Sequence, residues 1–196
     1  MKWDYEFDVV VVGSGNGALT SAICSHDGGA KTLVIEKSNQ YGGTSATSGG
    51  GVWIPNNRYA KAENVDDSDQ DARDYINSVS PEGMIKDELI ETYISEGPKM
   101  IDYLHENSQV KYRNLSHYPD YFPDNPGGKE GNRSMEPEPI KGTILGNDLG
   151  KLREQHPQTA FTMGPINMNF TQVEGQLLLG ALPGWKTLFA KLFTKY

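Results

Sequence analysis

Apolar residues follow two patterns along this 196-residue chain. Near the N-terminus they form short unbroken runs; further on they recur at helical spacing. Phe7 to Val12 is apolar and mostly β-branched, apart from Asp8, the pattern of a strand buried on both faces in a parallel sheet. Asn16 to about His26 follows as a helix, stopped by Gly28 and Gly29. Lys31 to Glu36 (KTLVIE) is a second strand. Strand, glycine turn, helix and strand together make one β-α-β unit.

The period then changes. Ser68 caps a helix running to about Ser78, with Ala72, Tyr75, Ile76 and Val79 on one face, and Pro81-Glu82-Gly83 breaks it. Leu89, Ile90, Tyr93 and Ile94 mark a helix over Lys86 to Ser95. Gly97-Pro98 interrupts, and Met100, Ile101 and Leu104 define a further helix from Pro98 to about Asn107. Val110 to Leu115 suits a short strand and Leu145 to Gln155 a short helix; Ala160 to Asn169 gives no assignment. In the last segment Leu188, Phe189, Leu192 and Phe193 repeat at helical spacing, with Lys186, Lys191 and Lys195 elsewhere on the turn. That stripe fits a helix packing on a further part of the protein, or one lying on a membrane surface.

Composition narrows the function. A formal charge of -8 and a pI near 5.0 argue against nucleic acid as a partner. The N-terminus is too polar for a signal peptide, and Val9 to Val12 is too short to span a bilayer. The single cysteine, Cys24, allows no intrachain disulfide, which fits a reducing, cytoplasmic compartment; its place in the first helix suits a small buried apolar role. No metal site is expected.

The candidate chemistry begins at Gly13-Ser14-Gly15-Asn16-Gly17-Ala18, a G-x-G-x-x-A turn between strand and helix. Gly13 permits the tight turn, Gly15 the close approach of a pyrophosphate, and Ala18 the packing of helix on strand. The helix N-terminus aims its N–H groups at the phosphates. Glu36, at the end of the second strand, can accept hydrogen bonds from a ribose. A second glycine-rich loop, Gly42-Gly43-Thr44-Ser45-Ala46-Thr47-Ser48-Gly49-Gly50-Gly51, is not needed for NAD. It makes sense if a larger cofactor extends past the first loop. Later, His117-Tyr118-Pro119-Asp120-Tyr121-Phe122-Pro123-Asp124-Asn125-Pro126-Gly127-Gly128 is too proline-rich for regular structure, and its three aromatic rings suit the wall of a site for a flat apolar ligand. Arg133 is either an anchor for this loop or a surface residue.

GSGNGA, the Glu36-Lys37 pair, GGTSATSGGGVWIPNN and HYPDYFPDNPGG resemble the FAD-binding family of fumarate reductase and succinate dehydrogenase flavoproteins, most of all its 3-ketosteroid Δ1-dehydrogenases. The resemblance implies an α/β, Rossmann-like FAD-binding domain with a parallel sheet, incomplete, carrying a helical and loop-rich extension. Residues 1–60 would form the β-α-β unit and second glycine loop, and 61–196 the extension. FAD is the implied cofactor, contacted by Gly13, Ser14, Gly15, Asn16, Gly17, Ala18, Glu36, Lys37, Gly42, Gly43, Thr44, Ser45, Ser48, Gly49 and Gly50. Tyr121 matches a tyrosine thought to assist proton removal beside the ketone; the alternative is a structural loop tyrosine. The implied reaction removes a proton from C2 of a 3-ketosteroid or similar apolar ketone and passes a hydride from C1 to flavin. The alternatives are a fumarate reductase-like enzyme that reduces an activated alkene, or an inactive FAD-binding fragment. Enzymes of this family are much longer, so the chain is expected to be an N-terminal piece, weak in FAD binding and without turnover alone.

Overall fold

Along the chain the elements run β1 (Val9–Val12), α1 (Asn16–Asp27), β2 (Thr32–Ile35), β3 (Val52–Trp53), α2 (Arg58–Ala62), α3 (Asp69–Val79), α4 (Asp87–Asn107), β4 (Tyr112–Asn114), β5 (Ser134–Pro137), β6 (Phe161–Met163), β7 (Ile166–Met168), α5 (Gln172–Leu179) and α6 (Trp185–Lys195). The computed structural model describes residues 3–155, 161–163, 166–168 and 171–195. The chain falls into two units. One holds Met1–Gly50 and Ile140–Asn169, the other Gly51–Pro139 and Phe170–Tyr196. The division thus comes ahead of residue 60, and 140–169 group with the β-α-β unit.

In the first unit β1 and β2 pair in parallel, Val9 beside Thr32 through Val12 beside Ile35. α1 packs against both strands. It ends where the glycines demand: the Gly28 N–H donates to the Cys24 carbonyl at 3.0 Å, and Gly29 turns away at φ +87°. Burial departs from the expectation. Of β1 only Val11 is buried, while Val10 is 51% and Val12 76% exposed. Two described strands and one helix can cover only one face of this sheet. α1 likewise buries no residue, and Cys24 is exposed rather than buried. The helix expected over 145–155 is a run of 3-10 turns, Gly142–Lys151, kinked where Gly146 takes φ +52°. Tyr41 bridges Leu152 in parallel, and β6 and β7 form an antiparallel pair within a stretch that the pattern left unassigned.

In the second unit β3, β5 and β4 form an antiparallel sheet in that order. Side-chain caps start α2, α3 and α5. Ser68 Oγ accepts from the Asp71 N–H at 3.0 Å, as its position ahead of α3 predicts. Asn57, fully buried, accepts from the Tyr59 and Ala60 N–H groups and donates to the Ile54 and Asn132 carbonyls. Thr171 and Glu174 cap α5 reciprocally, by a capping box. The two helices expected either side of Gly97-Pro98 are one: α4 runs through Pro98. Proline removes the bond to the Ile94 carbonyl, but Ile90, Ile94, Ile101 and Leu104 hold one buried stripe across the joint. Gly97 serves packing: a Cβ there would stand 3.3 Å from Ile54 Cδ1. Ile54, Ile101, Tyr112 and Met135 form the main core; Ala72, Ile90 and Ile94 form a second cluster between α3 and α4. Gly180 and Gly184 separate α5 from α6.

Candidate cofactor cradle and active-site loop

The β1–α1 turn opens onto a cavity of about 570 Å³ in the first unit. Gly13 leaves the strand at φ +96°, a conformation costly for any residue with a Cβ. Its N–H donates to the Ile35 carbonyl at 2.7 Å, which fixes the turn on β2. A Cβ at Gly13 or Gly17 would meet no atom within 4 Å, so these positions leave bare backbone. Gly15 stands at the N-cap of α1 without a side-chain hydrogen bond, and the first turn carries no acid. That end of the helix therefore presents a positive dipole with no acid of its own helix to neutralise it, although Ser45 Oγ takes the Asn16 N–H.

Two contacts hold the second glycine loop to the first. Ser45 Oγ accepts from the Asn16 N–H at 3.0 Å. Gly43, at φ +55°, lies so close that a Cβ would stand 3.3 Å from the Cα and N of Gly15. Ser14 sits between the loops: its hydroxyl donates to Glu36 Oε2 and accepts from the Gly42 N–H. These bonds, the Ser14 one first and that from the Ser38 N–H next, hold the Glu36 carboxyl below its usual value of 4.5.

The structure thus gathers Gly13, Ser14, Gly15, Asn16, Gly17, Ala18, Glu36, Lys37, Gly43, Thr44 and Ser45 around one cavity. Gly42, Ser48, Gly49 and Gly50 are not in its lining. They shape the loop instead: Ser48 Oγ donates to the Ser45 carbonyl and accepts from the Gly50 N–H. Ser38, Gln40 and Arg153 also line the cavity and escaped the sequence reading. Arg153 arrives through the bridge beside Tyr41, its N–H donating to the Tyr41 carbonyl at 2.9 Å. No local spacing announces a contact between such distant residues. Small backbone-only positions, a helix N-terminus, two cations (Lys37 and Arg153) and a carboxylate at the far end fit a bound dinucleotide pyrophosphate and ribose. Among the described residues no group of His, Cys, Asp and Glu could hold a metal ion, and no helix is long and apolar enough to cross a membrane.

The Tyr121 loop belongs to the second unit. Tyr121 is 84% exposed, and Phe122 beside it is also exposed. Asp120, just before, is buried: Oδ1 accepts from Trp53 Nε1 at 2.6 Å, and Oδ2 from Arg133 Nη1 at 2.9 Å and the Lys129 N–H at 3.0 Å. The Phe122 N–H donates to the Tyr75 hydroxyl at 3.3 Å. Arg133 proves to be an anchor, 1% exposed, with Asp67 on its other side. Burial alone would lower its pKa; the hydrogen bonds and charges of Asp67, then Asp120, more than offset that and raise it. Burial, followed by the charge and hydrogen bond of Tyr121, pushes the Tyr118 phenol up. His117, in the same loop, is exposed.

The model of the FAD binding domain matches residues 8–185. The chain is 38% identical to the 3-oxosteroid 1-dehydrogenase of Mycolicibacterium smegmatis over 168 residues, 86% of this chain and 29% of that protein. It is 37% identical to the 4-oxocyclohexanecarboxylate 2-dehydrogenase of Sinomonas cyclohexanicum over 157 residues, 80% of this chain and 27% of that protein. The crystal structure of 3-ketosteroid Δ1-dehydrogenase from Sterolibacterium denitrificans, in complex with 1,4-androstadiene-3,17-dione, matches 97% of the chain at a TM-score of 0.87 and 37% identity, which is 33% of that chain. The chain spans about a third or less of the length of each of these relatives. With its parallel β-α-β unit and the family model matched over most of its length, the chain belongs to the FAD binding domain family, and FAD is its cofactor.

Proposed function

We propose that this chain is the cofactor-binding, N-terminal part of a dehydrogenase that removes two hydrogens beside the ketone of a 3-ketosteroid or similar apolar cyclic ketone. The strongest support is the likeness, over nearly the whole chain, to a dehydrogenase structure that holds a 3-ketosteroid. FAD supplies the electron acceptor that takes up the hydride. The Gly13–Ala18 turn and the α1 N-terminus hold its pyrophosphate, with Lys37 and Arg153 balancing the charge. Glu36, kept ionised by Ser14, accepts from the adenosine ribose. Gly43, Thr44 and Ser45 face the cofactor, while Gly42, Ser48, Gly49 and Gly50 shape their loop.

Tyr121 handles the proton. A phenol with a pKa of ~10 must be assisted to accept or relay a proton from a carbon beside a ketone. Tyr118, within hydrogen-bonding reach of Tyr121, is the neighbour placed to assist it. A fumarate-reducing site would need free cations to hold a dicarboxylate. The lysine and arginine of this segment are otherwise engaged, Lys129 with Asp71 and Arg133 with Asp67 and Asp120. A cytoplasmic home and peripheral membrane contact through α6 belong to the same reading, the second supported by exposed Phe189 on a helix that carries Lys186 and Lys191.

The deciding experiment is anaerobic mixing of the complete FAD-loaded enzyme with a 3-ketosteroid, with 4-oxocyclohexanecarboxylate, or with fumarate after chemical reduction. Bleaching of the flavin band by a ketone supports the reading. Reoxidation by fumarate without any ketone response refutes it.

A further inference from the structure

We propose that Arg133 is a positioning residue, acting through Asp120 to hold the Tyr121 phenol in one place; this rests on the reading of Tyr121 as the proton-handling group. Tyr121 is 84% exposed, so packing within these 196 residues does not fix it. Beside its hydrogen bond with Tyr118, its placement is set by the backbone on either side. On one side Asp120 is held through its carboxylate by Trp53 Nε1, Arg133 Nη1 and the Lys129 N–H, and through its own N–H by the Lys129 carbonyl at 2.9 Å. On the other side the Phe122 N–H is held by the Tyr75 hydroxyl.

Arg133 touches both holds. It bonds Asp120 directly, and its guanidinium lies 5.5 Å from the Trp53 ring centre and 5.8 Å from that of Tyr75. Its remaining donors grip Asp67, Nε at 3.1 Å from Oδ2 and Nη2 at 2.7 Å from Oδ1. Only a planar, always-charged fork can bond two carboxylates while its face rests on aromatic rings; a lysine offers a point charge and one reach. Stability does not by itself account for such a group, because well-packed apolar residues often replace a buried ion pair at no loss. What the ions add is a fixed geometry for residues 120 and 122, with Tyr121 carried between them.

The test uses the complete FAD-loaded enzyme carrying R133K or W53F, each also combined with Y121F. W53F removes the indole donor to Asp120 and keeps a ring, so it serves if R133K does not fold. Each substitution should lower kcat about 10- to 100-fold with KM little changed, since misplacing a reacting group by about 1 Å costs that much. In the Y121F background neither should cost anything further. Equal losses in both backgrounds, or a loss confined to KM, would overturn the proposal. Amide hydrogen exchange at Asp120, Phe122 and Lys129 gives a reading independent of turnover: faster exchange in R133K supports the clamp, and unchanged exchange overturns it. A wild-type enzyme whose flavin no ketone bleaches would defeat the dehydrogenase reading alone, and the exchange measurement would still decide the clamp.

Discussion

The Ser14 hydroxyl donates to Glu36 Oε2 at 2.5 Å while accepting from the Gly42 N–H at 2.8 Å. One oxygen therefore ties the end of β2 to both glycine loops. Replacing Ser14 with alanine should free the Glu36 carboxylate to rotate and weaken FAD binding about 10- to 100-fold, the worth of one hydrogen bond to a charged group. Titration by flavin fluorescence would show it, and unchanged affinity would count against this role.

The same bond sets a pH dependence. Glu36 titrates below 4.5 in the folded protein, chiefly through Ser14. A lowered carboxylate stabilises the fold above its unfolded value, and that contribution is lost as pH falls through the lowered one. S14A should move the Glu36 titration back up towards 4.5, read by carbon NMR of the carboxyl group. A titration that stays put would show that Ser14 is not the main cause.

Gly43→Ala should harm both fold and cofactor binding. Its φ of +55° costs a Cβ about 1–2 kcal/mol, and the new methyl would press on the Gly15 backbone. A lower melting temperature together with weaker FAD binding is expected. A drop in stability alone would mean that the spacing of the two loops does not matter to the cofactor.

Gly127→Ala tests how the Tyr121 loop is seated. Gly127 has φ +72°, and a Cβ there would fall 2.0 Å from the Asp71 carbonyl oxygen and 2.8 Å from the Tyr75 nitrogen, both backbone atoms of α3. The loop must lift, at a cost of about 3–5 kcal/mol from strain and overpacking together. Urea denaturation measures this; a change under about 1 kcal/mol would mean that the loop adjusts freely.

Tyr121→Phe keeps the ring and removes the proton carrier. In the complete enzyme it should lower kcat at least about 100-fold and leave KM nearly unchanged. Tyr118→Phe should produce a smaller loss, because Tyr121 loses a hydrogen-bonding neighbour but keeps its own hydroxyl. Full activity of Y121F would return this residue to a structural role.

The parts that were legible in the sequence are local ones. Gly13 and Gly15 announce the turn, Ser68 its cap, and Gly28-Gly29 a helix end, because each conformation is settled by the residue in place. What escaped depends on distant partners. Arg153 reaches the cradle through a bridge to Tyr41, and the hold of Arg133 on Asp67 and Asp120 joins residues far apart in the chain. Pro98 misled for a related reason: its lost bond is a local cost, outweighed by a buried stripe that only the assembled unit provides. Strand β1 was placed correctly but its burial was not, since a run of valines reports what the sheet can bury and not what covers it.

That last point bears on how the protein behaves in a tube. Val10 and Val12 leave an oily strip on β1, and Ile35 on β2 is also exposed, in segments that carry no charge. Uncharged, β-branched segments of this kind are where chains stick to one another. Handled alone at high concentration, residues 1–196 should cloud or form soluble aggregates before they unfold, and a charged substitution at Val12, on the exposed strip, should clear the solution without lowering the melting temperature.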